Sequence, residues 1–250
     1  MSETGRQAKI RVNKLTKRFG ELTVLDAISF EIRAGELVAI VGPTGCGKTT
    51  FLNTLSKLMP ATEGQILIDG EEANPKKHNI SYVFQEPTCL PWRTVRDNVA
   101  YGMELKRVPY QERMERTDRI MELVGLSSCA DLYPNQVSAS MIQRIAVSRA
   151  FAVEPDLLLM DEPYGQLDVK LRYYLEDELI RLWQKLQSTV LFVTHNIEEA
   201  VYVAERILVL SAKPTKVKAE IPVDLPRPRN FLDPAFMEIR HRVTELIRWW

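Results

Sequence analysis

One run of residues, Gly42-Pro-Thr-Gly-Cys-Gly-Lys-Thr49, constrains the fold of this chain more than any other. Val38–Val41 before it reads as a buried strand, and Phe51–Leu58 behind it has helical spacing. Glycines at such a strand-to-helix turn let backbone N–H groups close around phosphate oxygens, and the helix N-terminus adds partial positive charge. A glycine-rich turn that binds nothing is the alternative, but the complete motif with both flanks favours a nucleotide-binding loop.

Two side chains of this loop have expected contacts with the nucleotide. Lys48 is expected to reach the β- and γ-phosphates, and the Thr49 hydroxyl is expected to bind Mg²⁺. The positions predicted to surround the phosphates are Gly42, Pro43, Thr44, Gly45, Cys46, Gly47, Lys48, Thr49 and Thr50.

The composition limits the classes of protein to which the chain can belong. It has 250 residues, enough for a substantial core, and its 33 basic side chains balance 33 acidic ones. This balance leaves no net field that would attract nucleic acid or anionic lipid. The start, Met1–Gln7, is polar without a signal-peptide pattern, and no apolar run approaches the ~20 residues that span a bilayer. Three scattered cysteines, Cys46, Cys89 and Cys129, fit free thiols in a reducing cytoplasm.

The first half of the chain divides into β-rich and helical stretches. Short β-like runs occupy residues 8–41 and 65–84, and the pattern is helical and highly charged from about Thr94 to Val153. Four glycines are predicted to punctuate the β-like runs: Gly20, Gly35, Gly64 and Gly70.

The second half alternates strands with helices. β signals return at Leu157–Met160, Val190–Val193 and Ile207–Leu210, with helices near 168–187 and 196–204 between them. This alternation predicts a parallel core sheet, and the helical block before it is predicted to be an inserted subdomain.

The strand at Leu157–Met160 ends in two acids, Asp161 and Glu162. A buried strand would deliver Asp161 rigidly to Mg²⁺, whereas Glu162 would point the other way across the pleat and orient or deprotonate an attacking water. A solvated Asp-Glu turn is the alternative for the pair alone. Together with the phosphate loop, the pair favours nucleotide hydrolysis.

Two polar residues follow other predicted strands. His195 ends the strand after the acidic one and could link a γ-phosphate to Glu162; alone it would be an ordinary loop histidine. Gln85 follows Ser81–Phe84 and could sense Mg²⁺ or the attacking water; alone it would be a surface glutamine. We therefore assign catalytic roles to Glu162, His195, Gln85 and Lys48, and a metal site to Thr49, Gln85 and Asp161.

The order of these motifs resembles that of ATP-binding cassette (ABC) transporter ATPases. The resemblance covers about residues 8–225, and Glu86–Val99 is similar to the importer branch that includes nitrate, sulfonate and taurine systems. The motifs that carry the resemblance are the phosphate loop, Gln85, the helical insertion, Asp161-Glu162, Asp168 and His195.

This resemblance implies an α/β fold: a P-loop NTPase core with a mostly parallel sheet, an N-terminal antiparallel β subdomain and an inserted helical subdomain. Residues 1–225 would form the ATPase domain, with the helical subdomain at about 88–155. Prolines at 222, 226 and 228 break the chain before the last amphipathic segment, Asp233–Trp250, so that 226–250 would form a C-terminal helical tail.

The resemblance also implies how ATP is held. Phe19 would stack on adenine; the alternative is a core phenylalanine beside a turn. Two such subunits would dimerise head to tail, so that each ATP lies between one subunit's phosphate loop and the other's signature motif, to which Ser138 and Ser140 would belong. Asp168 would also lie on this shared surface.

Two departures from the family pattern fall on the surface that serves the partner's nucleotide. The family's Leu-Ser-Gly-Gly signature is Val137-Ser-Ala-Ser140 here, and its Ser-Ala-Leu-Asp is Gly165-Gln-Leu-Asp168. A Cβ in place of a signature glycine crowds the approach to the γ-phosphate. The residues that serve this chain's own ATP are all present.

Three interpretations fit this pattern. The chain is an active transporter ATPase that tolerates Ala139 and Ser140, one half of a heterodimer with one weak site, or a soluble ABC protein that acts on ribosomes or DNA. The last class usually carries two cassettes or a long coiled-coil insertion, and this chain has neither. A signature substitution introduced by engineering would leave the same pattern.

We predict an ATP- and Mg²⁺-dependent subunit of a bacterial importer for a small anion or sulfonate-like solute. It would bind the cytoplasmic face of the inner membrane without inserting into it, and it would not bind nucleic acid. Its expected partners are a second ABC ATPase subunit and membrane permease subunits, with a solute-binding protein. Four residues are candidates for the permease contact, with packing inside the helical subdomain as the alternative: Leu90, Pro91, Trp92 and Tyr101.

Overall fold

The centre of the fold is a six-stranded sheet of short apolar strands. The computed structural model of the chain describes residues 7–165 and 167–247. Every residue of β3 (Leu37–Val41), β7 (Leu157–Asp161) and β8 (Thr189–Val193) is buried. Strands that are covered on both faces carry continuous apolar runs, which is typical of parallel sheets.

The remaining elements lie around these three strands. The other strands are β1 (Ala8–Phe19), β2 (Leu22–Arg33), β4 (Glu63–Ile68), β5 (Glu71–Glu72), β6 (Ile80–Val83), β9 (Arg206–Leu210) and β10 (Val217–Pro222). The α-helices are α1 (Lys48–Leu55), α2 (Val95–Leu105), α3 (Tyr110–Leu123), α4 (Ala139–Ala152), α5 (Val169–Leu186), α6 (Ile197–Val203) and α7 (Pro234–Ile247).

Two sheets organise these strands. The central sheet has the order β10-β9-β3-β8-β7-β6, and all its neighbours pair in parallel except β10 and β9. The second sheet, β2-β1-β4-β5, is antiparallel. The predicted α/β class, with a mostly parallel core and an N-terminal antiparallel part, is confirmed.

Alternate residues of the central strands pack into two separate cores. Val38 and Ile40 of β3 pack with the antiparallel sheet and with Phe51 of α1. Leu37 and Ala39, on the opposite face, pack with the helices that cover the other side of the sheet. The central sheet is therefore the middle layer, and the ends of its strands meet at one edge of the molecule.

The helices α2, α3 and α4 lie between β6 and β7 and pack against one another, as expected for an inserted helical subdomain. The last helix, α7, contacts α6, β9 and β10 and buries Phe236 and Val243. The domain boundary at residue 225 stays a prediction, and Arg248–Trp250 lie outside the described residues. Among the residues that are described, no helix has the length and apolar character needed to cross a bilayer.

Three details differ from the sequence-based expectations. Gly64 does not end a β run: it lies inside β4 with φ +81°, where a Cβ would come within 2.3 Å of the Lys14 carbonyl oxygen, at a bulge in the neighbouring strand. Helix α1 ends at Leu55 rather than at Leu58, and Lys57 has positive φ. The strand β10 was not predicted; as an edge strand it tolerates Pro222 at its end.

Candidate nucleotide site

The phosphate loop connects β3 to α1 through backbone that only glycine adopts easily. Gly45 and Gly47 have φ values of 74° and 110°. A Cβ on Gly47 would come within 2.7 Å of the Val24 side chain. These glycines therefore permit the tight turn that leaves the first N–H groups of α1 without side-chain caps.

Hydrogen bonds to the backbone of the loop hold the Lys48 side chain in place. Its side chain is only 6 % exposed, and its ammonium donates to the carbonyl oxygens of Gly42 at 3.0 Å and Pro43 at 3.1 Å. An ammonium placed this way faces the space that the loop encloses, and it would bind phosphate oxygens by charge-assisted hydrogen bonds.

Cys46 is a structural part of the loop. Its side chain is buried, and burial raises the pKa of its thiol, because the charged form is desolvated. The Thr215 hydroxyl donates to the carbonyl of Cys46 and ties the loop to the strand region before β10. Low thiolate content and burial make Cys46 a passive residue; all three cysteines are free thiols.

A cleft of about 230 Å³ opens above the phosphate loop. Six of the nine predicted phosphate-binding residues, Lys48 among them, line this cleft together with the predicted catalytic residues Gln85 and Glu162, whereas Gly42, Pro43 and Cys46 do not line it. The residues that line it are Thr44, Gly45, Gly47, Lys48, Thr49, Thr50, Gln85, Glu162 and Lys213.

Lys213 is the residue of this cleft that sequence reasoning missed. It lies in the loop after β9, and no local motif distinguishes it from other exposed lysines. The available signal is topological: β9 is the neighbour of β3 in the sheet, so the loops that follow the two strands lie at the same edge. Lys213 adds a second cation beside Lys48.

Asp161 ends β7 as predicted and is 2 % exposed. Burial raises the pKa of its carboxyl, and the Thr49 and Tyr82 hydroxyls beside it act in the opposite direction. Its Oδ1 atom is buried without a hydrogen-bond partner among the described residues. A buried, unpartnered carboxylate oxygen next to a threonine hydroxyl fits the oxygen ligands that Mg²⁺ prefers.

We expected Glu162 to continue the pleat of β7, but it does not. Its φ of 46° places it in the left-handed region, and its backbone N–H donates to the Val193 carbonyl at 2.8 Å. This backbone conformation is unfavourable for a non-glycine residue and is typical of functional positions. The turn, rather than strand alternation, places the Glu162 carboxylate against His195 after β8 and Gln85 after β6.

Gln85, Glu162 and His195 meet at the edge of the cleft. The Glu162 Oε2 atom lies 2.9 Å from His195 Nδ1 and accepts from Gln85 Nε2 at 3.3 Å. The side chain of His195 is mostly exposed, whereas that of Glu162 is largely buried. Strand ends from β6, β7 and β8 therefore place an amide, a carboxylate and an imidazole around one point next to the phosphate loop.

Phe19 is not part of a core. It ends β1 with 45 % of its surface exposed, and the Lys17 ammonium lies 5.0 Å from its ring centroid. The ring is exposed but does not line the phosphate-loop cleft, and adenine stacking stays a prediction.

The residues expected to serve a partner's nucleotide lie outside this cleft. Ser138 caps α4 by accepting from the Met141 N–H at 3.3 Å, and its hydroxyl lies 3.0 Å from that of Ser140. Asp168 caps α5 by accepting from the Leu171 N–H. Gln166, the second departure from the family pattern, lies outside the described residues.

Comparison with known proteins identifies the family. Residues 25–165 match the family model described as ABC transporter. An uncharacterized ABC transporter ATP-binding protein of Methanocaldococcus jannaschii is 41 % identical over 246 residues, which cover 97 % of this chain and 92 % of that protein. The aliphatic sulfonates import ATP-binding protein SsuB of Bacillus cereus is 37 % identical and covers 94 % of both chains.

A solved structure shows the same architecture. A dimeric post-hydrolysis state of an ATP-binding cassette, bound to ADP and Pi, superposes with a TM-score of 0.78 at 30 % identity, covering 87 % of this chain and all of that one. The fold, the phosphate-loop cleft and these matches lead to one conclusion: the chain belongs to the ABC transporter family and is an ATP-binding and ATP-hydrolysing subunit.

Proposed function

We propose that this chain powers a bacterial importer for a small anion or sulfonate-like solute by hydrolysing MgATP with its own Glu162. The observation that carries the proposal is the contact of Glu162 with His195 and Gln85 at the edge of the cleft that Lys48 lines. The similarity to sulfonate import proteins supports the direction of transport and the class of solute.

In this proposal Lys48 and the loop N–H groups bind the β- and γ-phosphates. Thr49, Asp161 and Gln85 would hold Mg²⁺, which neutralises charge on the phosphates. The unpartnered Oδ1 atom of Asp161 supports its place in that set.

Glu162 acts on the attacking water. Its carboxylate accepts a proton or orients the water, while His195 and Gln85 fix its position through the two contacts to Oε2. Since a carboxylate only accepts, Nδ1 of His195 donates in that contact, and Nε2 is left as the ring atom that would meet the γ-phosphate.

The remaining site residues act on a second ATPase subunit. Ser138 and Ser140 at the start of α4 and Asp168 at the start of α5 would contact the ATP bound to the partner's phosphate loop. Dimeric relatives support this arrangement. Ala139 and Ser140 occupy positions at which the family has glycines. Two assemblies fit this departure: a homodimer with two crowded sites and a heterodimer with one good site.

A groove beside β6 and α2 is a suitable contact for a membrane permease. It has a volume of about 370 Å³ and includes the apolar side chains of Phe84, Tyr101 and Leu105. Of the four predicted contact residues, Tyr101 lines this groove, and Trp92 lies outside it with 71 % of its surface exposed. The exposure of Trp92 argues against packing inside the helical subdomain. The subunit would bind the cytoplasmic face of the inner membrane there, with a solute-binding protein delivering the solute outside.

Growth of the host on a sulfonate as its only sulfur source tests the proposal. Deletion of the gene should abolish growth on an alkanesulfonate or taurine but not on sulfate, and the wild-type gene should restore it. Lys48→Ala and Glu162→Gln should not restore growth, whereas the control Lys216→Ala, outside the cleft, should. A deletion strain that takes up sulfonates and nitrate at the parent rate would contradict the assigned solute class.

A further inference from the structure

The loop that carries His195 is fastened on both sides of the histidine. Thr194 Oγ1 donates to Glu199 Oε2 at 2.6 Å and accepts from the Asn196 N–H at 3.0 Å. The Asn196 side chain in turn accepts from the N–H groups of Glu198 and Glu199. Both neighbours of His195 are thus bound to the first turn of α6, and Glu199 is the buried anchor of that turn.

Arg172 connects this anchor to the segment that begins α5. Its Nε atom lies 3.4 Å from Glu199 Oε1 in an ion pair without a hydrogen bond, and its Nη2 atom donates to the Leu167 carbonyl at 3.4 Å. Its backbone N–H donates to the Asp168 carbonyl at 2.9 Å. One side chain therefore joins the segment assigned to the subunit interface with the helix that follows His195.

Glu199, rather than the neighbouring Glu176, lies within ion-pair distance of the Arg172 guanidinium. Glu176 is fully buried, neither of its carboxyl oxygens has a hydrogen-bond partner among the described residues, and burial raises its pKa to about 8. Burial also raises the pKa of Glu199, but donors from Thr194 and Asn196 and the charge of Arg172 act to lower it. Glu199 thus has hydrogen-bond donors and a cation beside it, whereas the carboxyl of Glu176 is buried without a hydrogen bond among the described residues.

We propose that Arg172 is a positioning residue for ATP hydrolysis. Through Glu199 it holds the His195 loop in a fixed relation to the Leu167–Asp168 segment. The inference rests on the proposed role of His195 and deepens it. Neither Arg172 nor Glu199 lines the phosphate cleft, so the link acts on the hydrolytic step and not on ATP affinity.

These contacts form a contiguous chain from the Leu167 carbonyl through Arg172 and Glu199 to the Thr194 hydroxyl, next to His195.

Single-turnover hydrolysis of ATP by excess purified protein tests the inference. Arg172→Met keeps the apolar stem of the side chain and removes the charge. It should slow hydrolysis about tenfold and change ATP affinity less than twofold, as for a group that acts only on the chemical step. Arg172→Lys should recover most of the rate. Arg181→Met on the same helix, where Arg181 is 71 % exposed and pairs with Glu178, should have no effect.

Two further variants separate positioning from general stability. Glu199→Gln removes the same ion pair from the other side but retains an acceptor for Thr194, and it should slow hydrolysis to the same extent. Combined with Arg172→Met it should have no additional effect, since both changes break one link. Arg172→Met should likewise add nothing to His195→Ala.

The outcomes distinguish this inference from the proposed function. If His195→Ala hydrolyses ATP at the parent rate, the role of His195 is wrong and the inference is lost with it. If His195→Ala is slow but Arg172→Met and Glu199→Gln both hydrolyse at the parent rate, only the link is wrong. A fall in melting temperature without a change in rate would mean that Arg172 is merely structural.

Discussion

At the scale of single residues, strand order explains which site groups can be read from the sequence. Gln85, Asp161 and His195 lie at the ends of three strands that are neighbours in the sheet, and their proximity could be predicted. The direction of Glu162 could not, because it depends on a left-handed backbone conformation that no spacing indicates. Lys213 could not be predicted either, since nothing near it in the chain points to a phosphate.

Phe19 offers a test of adenine stacking. Phe19→Ala should weaken the binding of ATP and GTP alike by ~1–3 kcal/mol, because stacking uses the π-face that every purine shares. Equilibrium titration with fluorescent analogues of both nucleotides measures the change. Tyr110→Ala, which removes another exposed ring at the start of α3, is the control and should leave both affinities unchanged. A Phe19→Ala variant that binds ATP and GTP with the affinities of the parent would exclude stacking.

The variant Lys213→Ala tests whether Lys213 binds the nucleotide as a second cation beside Lys48. Lys213→Ala should weaken ATP binding by about 0.5–1.5 kcal/mol at low salt and by less at 0.5 M salt, because an exposed charge acts through solvent that ions screen. The matched control is Lys216→Ala, three residues along, whose ammonium pairs with Asp26 at 3.1 Å and does not line the cleft. An affinity that is unchanged at every salt concentration would remove Lys213 from the site.

At the scale of elements, the packing of α5 against α6 buries an acidic side chain, and this burial costs free energy. Glu176 on α5 faces Glu199 and Glu198 on α6, with Arg172 and Asp177 on its own helix. Its pKa is raised to about 8 by burial first and by Glu199 second. The folded chain therefore keeps a proton that the unfolded chain releases above its ordinary pKa near 4.5.

Retention of this proton on Glu176 leads us to expect that the stability of the fold decreases as the pH rises. The free energy of unfolding should fall by roughly 1 kcal/mol per pH unit as the pH rises from about 5 to 8 through this group, and then level off. Glu176→Gln should remove that slope and should be more stable than the parent at pH 8. Urea denaturation of the nucleotide-free chain at pH 5.5, 6.5 and 7.5 measures both. Parallel pH profiles for parent and variant would contradict a protonated Glu176.

The sequence patterns missed the features that depend on contacts between distant parts of the chain. Buried strands such as β7 and β8 are recognisable because both faces are apolar. The edge strand β10 alternates exposed and partly buried residues and ends in Pro222, so that its local pattern resembles a loop. Gly64 reads as a turn residue because the bulge that requires it lies in the partner strand β1.

At the scale of the whole molecule, the two functional faces are unequal. The face with this chain's own phosphate loop retains every expected group. The face that would serve a partner carries Ala139 and Ser140 in place of glycines, and the Ser138 hydroxyl is engaged with Met141 N–H and Ser140. A homodimer would place this crowded surface at both ATP sites, whereas a heterodimer would place it at one.

Restoring the glycines distinguishes the two assemblies. In a homodimer, Ala139→Gly with Ser140→Gly should raise the steady-state ATPase rate of the assembled transporter, because a Cβ no longer opposes the γ-phosphate. In a heterodimer, the same change should affect only the partner's site, and Lys48→Ala in this chain should remove most of the activity. A homodimer with ordinary turnover and no response to the glycines would show that the signature is not crowded.

The central claim is that this chain hydrolyses ATP with its own Glu162 beside its own phosphate loop. ATP binding and single-turnover hydrolysis of wild type, Glu162→Gln and Lys48→Ala test it most directly. Glu162→Gln should bind ATP with wild-type affinity and hydrolyse it ~10²-fold more slowly or worse, the scale of a lost general base. Lys48→Ala should lose tight binding. Hydrolysis at the wild-type rate by Glu162→Gln would contradict the account.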